Sequence, residues 1–91
     1  MLRLKETSQF RKDIKHAMKR KKNLGLLQDI ISTLIERKPL DPKYQDHPLR
    51  GPFSGFRECH IENDWLLMYA VDEDDLVLTA LRTGTHSDLF G

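Results

Sequence analysis

Four histidines carry the chemistry that this sequence suggests most directly, because imidazole is the one side chain that titrates near neutral pH without help. His47 lies in a proline-rich loop, His60 lies near the predicted end of a strand, and His86 lies in the C-terminal tail. His16 falls within a basic helix, where a surface position is expected. Asp64 follows His60 by four residues across a predicted tight turn, so these two side chains are expected to lie close together.

Metal-free cleavage of RNA is one reaction that such a set can catalyse. The 2′-hydroxyl must lose a proton as it attacks the adjacent phosphate, and the leaving 5′-oxygen must gain one, so a base and an acid are both needed. Arg57 and Arg82 are candidates to neutralise the phosphate, since a guanidinium matches its oxygens. Phe90, Trp65 and Tyr69 are candidates to stack on bases, although core packing is the more common role for aromatic residues in strands.

Two other interpretations apply to the same residues. The histidines can be unrelated loop residues, which is common in small domains. A metal site is the second alternative, with ligands drawn from His47, His60, His86, Asp64 and Cys59. However, the sequence has no HxxH, CxxC or HExxH spacing, and adjacent strand residues such as Cys59 and His60 point to opposite faces of a sheet. The residues therefore do not favour a metal site. Two interpretations stay open: catalysis of RNA cleavage, and histidines that share no function.

The charge of the chain is strongly polarised, although its formal net charge is only +1. Residues 1–22 carry nine Lys or Arg against two acidic residues, whereas residues 58–91 carry eight acidic residues against one Arg. A basic segment of this kind attracts a polyanion, either a nucleic acid or an acidic protein. A solvated helix face without a ligand is the alternative.

The order of the predicted elements favours an α+β fold. The pattern predicts a strand at residues 1–5, a helix capped by Thr7 or Ser8, a second helix ending near Lys38, and strands at 56–61, 65–71 and 76–81. Phe10, Ile14, Ala17 and Met18 form a predicted apolar stripe on the first helix. We therefore expect a single domain over 1–91, with a two-helix hairpin packed on a mostly antiparallel sheet of about four strands.

The sequence also indicates a cellular location. The longest apolar run, at 65–71, is too short to cross a bilayer, and no signal peptide is evident, so no contact with a membrane is expected. The single cysteine cannot form an internal disulfide. A cytoplasmic protein is expected.

Three segments carry a family resemblance, which covers essentially the whole chain in its length and its order of elements. They are Asp46-His47-Pro48-Leu49, the stretch from Gly55 to Trp65, and the stretch from Arg82 to Phe90. In this order they resemble the YafQ branch of the RelE toxin superfamily. Asn63 departs from the pattern, which has a proline there, and the acidic turn at 72–75 is longer than usual.

The resemblance implies a RelE-like fold and a ribosome-dependent endoribonuclease that cuts messenger RNA, with no metal or cofactor. It implies a catalytic group of His47, His60, Asp64 and His86, with Phe90 at or beside the substrate. It also implies a small DinJ-like antitoxin as partner, and contact with operator DNA only through that antitoxin. Under this interpretation the basic helix, with Lys19 and Arg20, contacts the ribosomal RNA backbone.

The division of roles among the catalytic residues remains open at this stage. His60 or Asp64 is expected to take the 2′-hydroxyl proton, and His86 or His47 is expected to supply the leaving-group proton. A non-catalytic RNA-binding or corepressor module is the main alternative function. A RelE-fold gyrase inhibitor is a further alternative, and it would lack this set of histidines.

Overall fold

The computed structural model describes all 91 residues and contains one five-stranded sheet with three helices. The strands are β1 (Arg3–Glu6), β2 (His47–Pro48), β3 (Arg57–Glu62), β4 (Trp65–Asp72) and β5 (Val77–Gly84), in the spatial order β1-β5-β4-β3-β2. Three of the four strand pairs are antiparallel, and only β1 and β5 run parallel. The predicted fold class is therefore confirmed, with one strand more than expected.

Two helices, α1 (Ser8–Lys19) and α2 (Leu24–Ile35), cover one face of the sheet. Thr7 caps α1 as predicted, because its hydroxyl accepts a hydrogen bond from the Phe10 amide at 2.9 Å. The main core lies between these helices and the sheet, and it includes Phe10, Ile30, Trp65 and Tyr69. We refer to this side of the sheet as the helix face.

The opposite face of the sheet carries a smaller core, and we call it the histidine face because of the side chains described below. Leu66 and Met68 of β4 pack there against Leu89, with partly buried apolar residues from the loop around 49–56. Residues 65–69 are all buried, which confirms that β4 is a central strand covered on both sides. No helix of the chain has the length and apolar content that a bilayer span requires.

Three local predictions differ from the structure. Met18 is predicted in the apolar stripe of α1 but is 59% exposed, whereas Ala17 is buried, because successive residues of a helix point about 100° apart. His47 and Pro48 form the short edge strand β2 within the predicted loop. The C-terminal tail contains a third helix, α3 (His86–Phe90), whose five residues are too few to give a recognisable periodic pattern.

Candidate active site

Three of the four histidines lie in a row on the histidine face. The ring centroids of His47 and His60 are 6.3 Å apart, and those of His60 and His86 are 5.8 Å apart. The row continues through Phe90, whose ring lies 6.3 Å from His86 and packs edge-to-face against Phe53 at 5.0 Å. The sheet register explains the clustering, because His47 pairs with Glu58 and His60 pairs with Leu66. Residues that are distant in sequence are thus brought into one site.

Asp64 lies at the end of this row and binds His86 twice. One carboxylate oxygen, Oδ1, accepts hydrogen bonds from the His86 amide at 3.0 Å and from the ring Nδ1 at 2.7 Å. The backbone hydrogen bond, followed by the one from the ring, lowers the pKa of Asp64 below its ordinary value of 3.8. An ionised carboxylate can only accept, so Nδ1 must carry the proton, and Nε2 of a neutral His86 is the unprotonated nitrogen.

Glu58 is a further member of the site that the sequence analysis did not single out. Its side chain is only 6% exposed, and its two oxygens lie 3.9 Å from Nε2 of His47 and 3.9 Å from Nε2 of His60. A buried carboxylate therefore lies between two imidazoles. The available signal was its position: Glu58 alternates with Cys59 along β3 and so shares a face with His60.

The same three side chains could hold a metal ion. One ligand atom each from His47, Glu58 and His60 lie within 4.8 Å of one another, and two imidazoles with a carboxylate are a common ligand set for zinc. Cys59 does not belong to this group, because it is fully buried in the main core on the helix face. Burial raises the pKa of its thiol to about 12, so it is neither a thiolate ligand nor a nucleophile.

Arg57 extends toward Tyr69 on the helix face, and its predicted role as a phosphate ligand stays a prediction. Its guanidinium donates to Tyr69 Oη at 3.3 Å and to Asp46 Oδ2 at 3.1 Å, both on the helix face. The Tyr69 hydroxyl also donates to Asp46. This network holds the residue that precedes His47 against two central strands. Arg57 therefore fixes the position of the loop that carries His47.

Arg82, in contrast, starts on the histidine face, because it pairs in register with Met68. Its guanidinium donates to Asp13 of α1 through Nε at 2.8 Å and Nη2 at 3.2 Å. Asp13 also accepts from the Thr83 amide at 3.1 Å, which anchors α1 to β5. Asp13 belongs to α1, so the guanidinium of Arg82 ends on the helix face although the residue pairs in register with Met68.

Two of the three aromatic candidates, Phe90 and Trp65, have different surroundings. Phe90 is 40% exposed beside His86, where a nucleotide base could stack. Trp65 is 1% exposed within the main core, and its Nε1 is buried without a hydrogen-bond partner. A buried indole has no free face for a base, so the prediction that Trp65 binds substrate is not supported by the structure. Its observed role is packing.

The basic residues of the first helix also differ from one another. Lys19 ends α1, is exposed and forms no ion pair, so it is free to contact a polyanion. Arg20 instead pairs with Asp88 of α3 at 3.1 Å. His16 is exposed on α1 and lies outside the histidine row, as predicted.

The hydrogen bonds to Asp64 give a prediction about acid titration. The pKa of Asp64 is lower in the folded chain than in the unfolded chain, so its contacts with His86 stabilise the fold above pH 3.8 and are lost as the pH falls through the folded value. The amide resonance of His86 should therefore titrate with a midpoint below 3.8 in NMR spectra. The Asp64→Asn variant should lack this step. A midpoint at or above 3.8 in the wild type would contradict the assignment.

Comparison with known proteins agrees with this architecture. Residues 2–91 match the family described as bacterial toxin of type II toxin–antitoxin system, YafQ. The mRNA interferase toxin YafQ of Escherichia coli (strain K12) is 43% identical over 86 residues, covering 93% of this chain and 91% of that protein.

Two solved structures are similar along nearly the whole chain. YafQ in the E. coli DinJ–YafQ complex has a TM-score of 0.91 and 39% identity, and the match covers 100% of both chains. A metal-bound toxin from Helicobacter pylori has a TM-score of 0.94 and 41% identity, covering 99% of this chain and 100% of that one.

The fold and the histidine row thus place this chain in the class of small toxins of type II toxin–antitoxin systems. Within that class, the matches over nearly the full length are specific. The chain belongs to the YafQ toxin family.

Proposed function

We propose that this chain is an mRNA interferase toxin that cleaves messenger RNA on the ribosome. The observation that carries the proposal is the row of His47, His60 and His86 on one face of the sheet, with Asp64 bound to His86 at 2.7 Å. A protein that only binds RNA has no need of this arrangement. The E. coli relative that is named an mRNA interferase supports the same activity.

His86 supplies the leaving-group proton in this proposal. Asp64 accepts the hydrogen bond from Nδ1–H of His86. Nε2 is therefore the nitrogen that transfers a proton to the leaving group. The aspartate stabilises the protonated ring before transfer. Because its oxygen is already bound to His86, Asp64 acts by orienting His86 and is not the base.

His60 takes the proton of the 2′-hydroxyl. The 2′-oxygen attacks phosphorus to form a cyclic 2′,3′-phosphate, the bond from phosphorus to the 5′-oxygen breaks, and His86 protonates that oxygen. Glu58, 3.9 Å from His60, places negative charge beside the imidazolium that forms. His47 lies on the other side of Glu58 with its Nδ1 bound to the Pro48 carbonyl at 3.0 Å, and its protonated ring donates to the phosphate through Nε2.

Arg82 neutralises the charge that builds on the phosphate, and Phe90 stacks on a base next to the cleaved bond. Arg82 pairs in register with Met68 of the histidine face, and this position supports its role, although its guanidinium is bound to Asp13 of α1. Lys19, with the other unpaired lysines of α1, contacts the ribosomal RNA backbone.

The partner of the toxin is a small DinJ-like antitoxin, and operator DNA is bound only through that antitoxin. The solved complex of the E. coli relative with DinJ supports this part of the proposal. Located in the cytoplasm, the free toxin would reach translating ribosomes directly.

Cleavage of a translated message tests the proposal. Purified toxin is expected to cut mRNA in a ribosome complex with a start codon in the P site and to leave the same RNA uncut without ribosomes. The upstream product should end in a 2′,3′-cyclic phosphate. Addition of the antitoxin encoded beside the toxin gene should abolish the cut. Ribosome binding without any cleavage would instead indicate the non-catalytic module.

A further inference from the structure

Helix α3 carries both His86 and Phe90, but it has only five residues and cannot be stable by itself. Asp64 binds the amide and the ring of His86 at the start of this helix, and the rest of the helix has few contacts. Leu89 packs against Leu66 and Met68 on the histidine face, and Phe90 contacts Phe53. The position of the proposed acid therefore depends on what fixes the first turn of this helix.

Asp88 is a second carboxylate, besides Asp64, that fixes this first turn. Its carboxylate accepts a hydrogen bond from the Thr85 amide at 3.0 Å, while the Thr85 hydroxyl accepts from the Asp88 amide at 3.0 Å, which forms a capping box. The backbone hydrogen bond from Thr85 is the main cause that lowers the pKa of Asp88 below 3.8. The carboxylate lies so close to the backbone of Gly84 that a Cβ there would be 2.9 Å from it, which explains the glycine.

Arg20 reaches the same carboxylate from the other side of the molecule. Its Nη1 lies 3.1 Å from Asp88 Oδ2, the oxygen that also accepts from Thr85. Arg20 follows α1 directly. Asp13 precedes it by seven residues, about two helical turns, and the buried carboxylate of Asp13 anchors α1 to β5. The guanidinium thus joins a fixed helix to a short, weakly held one.

We propose that Arg20 is a positioning residue of the active site, which holds α3 and thereby His86 in the geometry needed for proton transfer. This inference rests on the proposed nuclease function. It also assigns Arg20 a different task from Lys19: Arg20 acts on the rate of the chemical step, whereas Lys19 acts on binding. An exposed ion pair adds little to global stability, so the effect is confined to α3.

Single-turnover cleavage on ribosomes, with toxin in excess, separates the two tasks. Arg20→Gln is expected to lower the saturating rate by about tenfold, because a small displacement of a catalytic group is costly, and to change half-saturation less than about twofold. Arg20→Lys should recover part of the rate, since it keeps the charge. Arg11→Gln is the matched control: it removes an arginine of α1 that pairs with Glu6 at 3.8 Å, remote from α3.

Hydrogen exchange of the Leu89 amide, which donates to the Thr85 carbonyl, is measured on the same variants. It should be faster in Arg20→Gln and unchanged in Arg11→Gln. A normal saturating rate with weaker half-saturation would overturn the proposal and make Arg20 an RNA contact, as would unchanged exchange. If the wild type cleaves nothing, the proposed function fails, and the exchange result alone then decides whether Arg20 holds α3.

Discussion

Replacement of His86 by alanine is expected to lower the saturating rate of mRNA cleavage by about 10²–10⁴-fold, the usual contribution of a general acid. The side chain is 56% exposed and makes no core contact, so the free energy of unfolding should change little. Rates from single-turnover cleavage on ribosomes, together with urea unfolding, measure both quantities. The variant should also fail to arrest growth when it is expressed.

His16→Ala is the matched control for this experiment, because His16 is an exposed histidine outside the row and should leave the rate unchanged. Asp64→Asn tests the pairing with His86. If Asp64 acts only by orienting His86, the double variant should be no slower than His86→Ala alone, since residues that act as a unit are not additive. Full activity of His86→Ala would exclude the proposed acid.

Replacement of Trp65 by alanine is expected to destabilise the fold by about 3–5 kcal/mol, the usual cost of removing a large aromatic side chain from a core. In a domain of this size such a loss is a large part of the total stability. Trp65→Phe should cost less, because it keeps a ring in the core and removes an indole N–H that has no partner. Urea unfolding of both variants measures these differences.

The Trp65→Phe variant also tests whether Trp65 packs in the core or contacts RNA. If Trp65 only packs, Trp65→Phe should keep its saturating cleavage rate within about threefold of the wild type. A variant that is folded and stable but cleaves much more slowly would show that the indole contacts substrate. Phe90→Ala provides the contrast: its ring is 40% exposed, so we expect weaker cleavage with little loss of stability.

Local patterns in the sequence were enough to predict the fold. The apolar stripe through Phe10 and Ala17, the Thr7 cap and the continuous apolar run of β4 each depend on neighbouring residues, so periodicity and capping chemistry describe them. The family resemblance added the functional hypothesis and selected His47, His60, Asp64 and His86. The structure brings these four residues together.

The partners of charged side chains could not be predicted in this way. Arg57 and Arg82 are the same residue type near strand ends, yet Arg57 binds Asp46 beside β2, whereas Arg82 binds Asp13 of α1. Glu58 lies between two imidazoles because the pairing of β2 with β3 brings His47 beside it. Such pairings depend on strand register rather than on local sequence.

The sequence by itself thus determined the two long helices, the longer strands, most of the core and the types of group available for catalysis, because each follows from residues close together in the chain. The tertiary structure alone decided which carboxylates the arginines bind, that Trp65 is buried, and that Arg20 reaches Asp88. Those contacts join residues separated by as many as 69 positions, and only the folded arrangement of helix and sheet defines them.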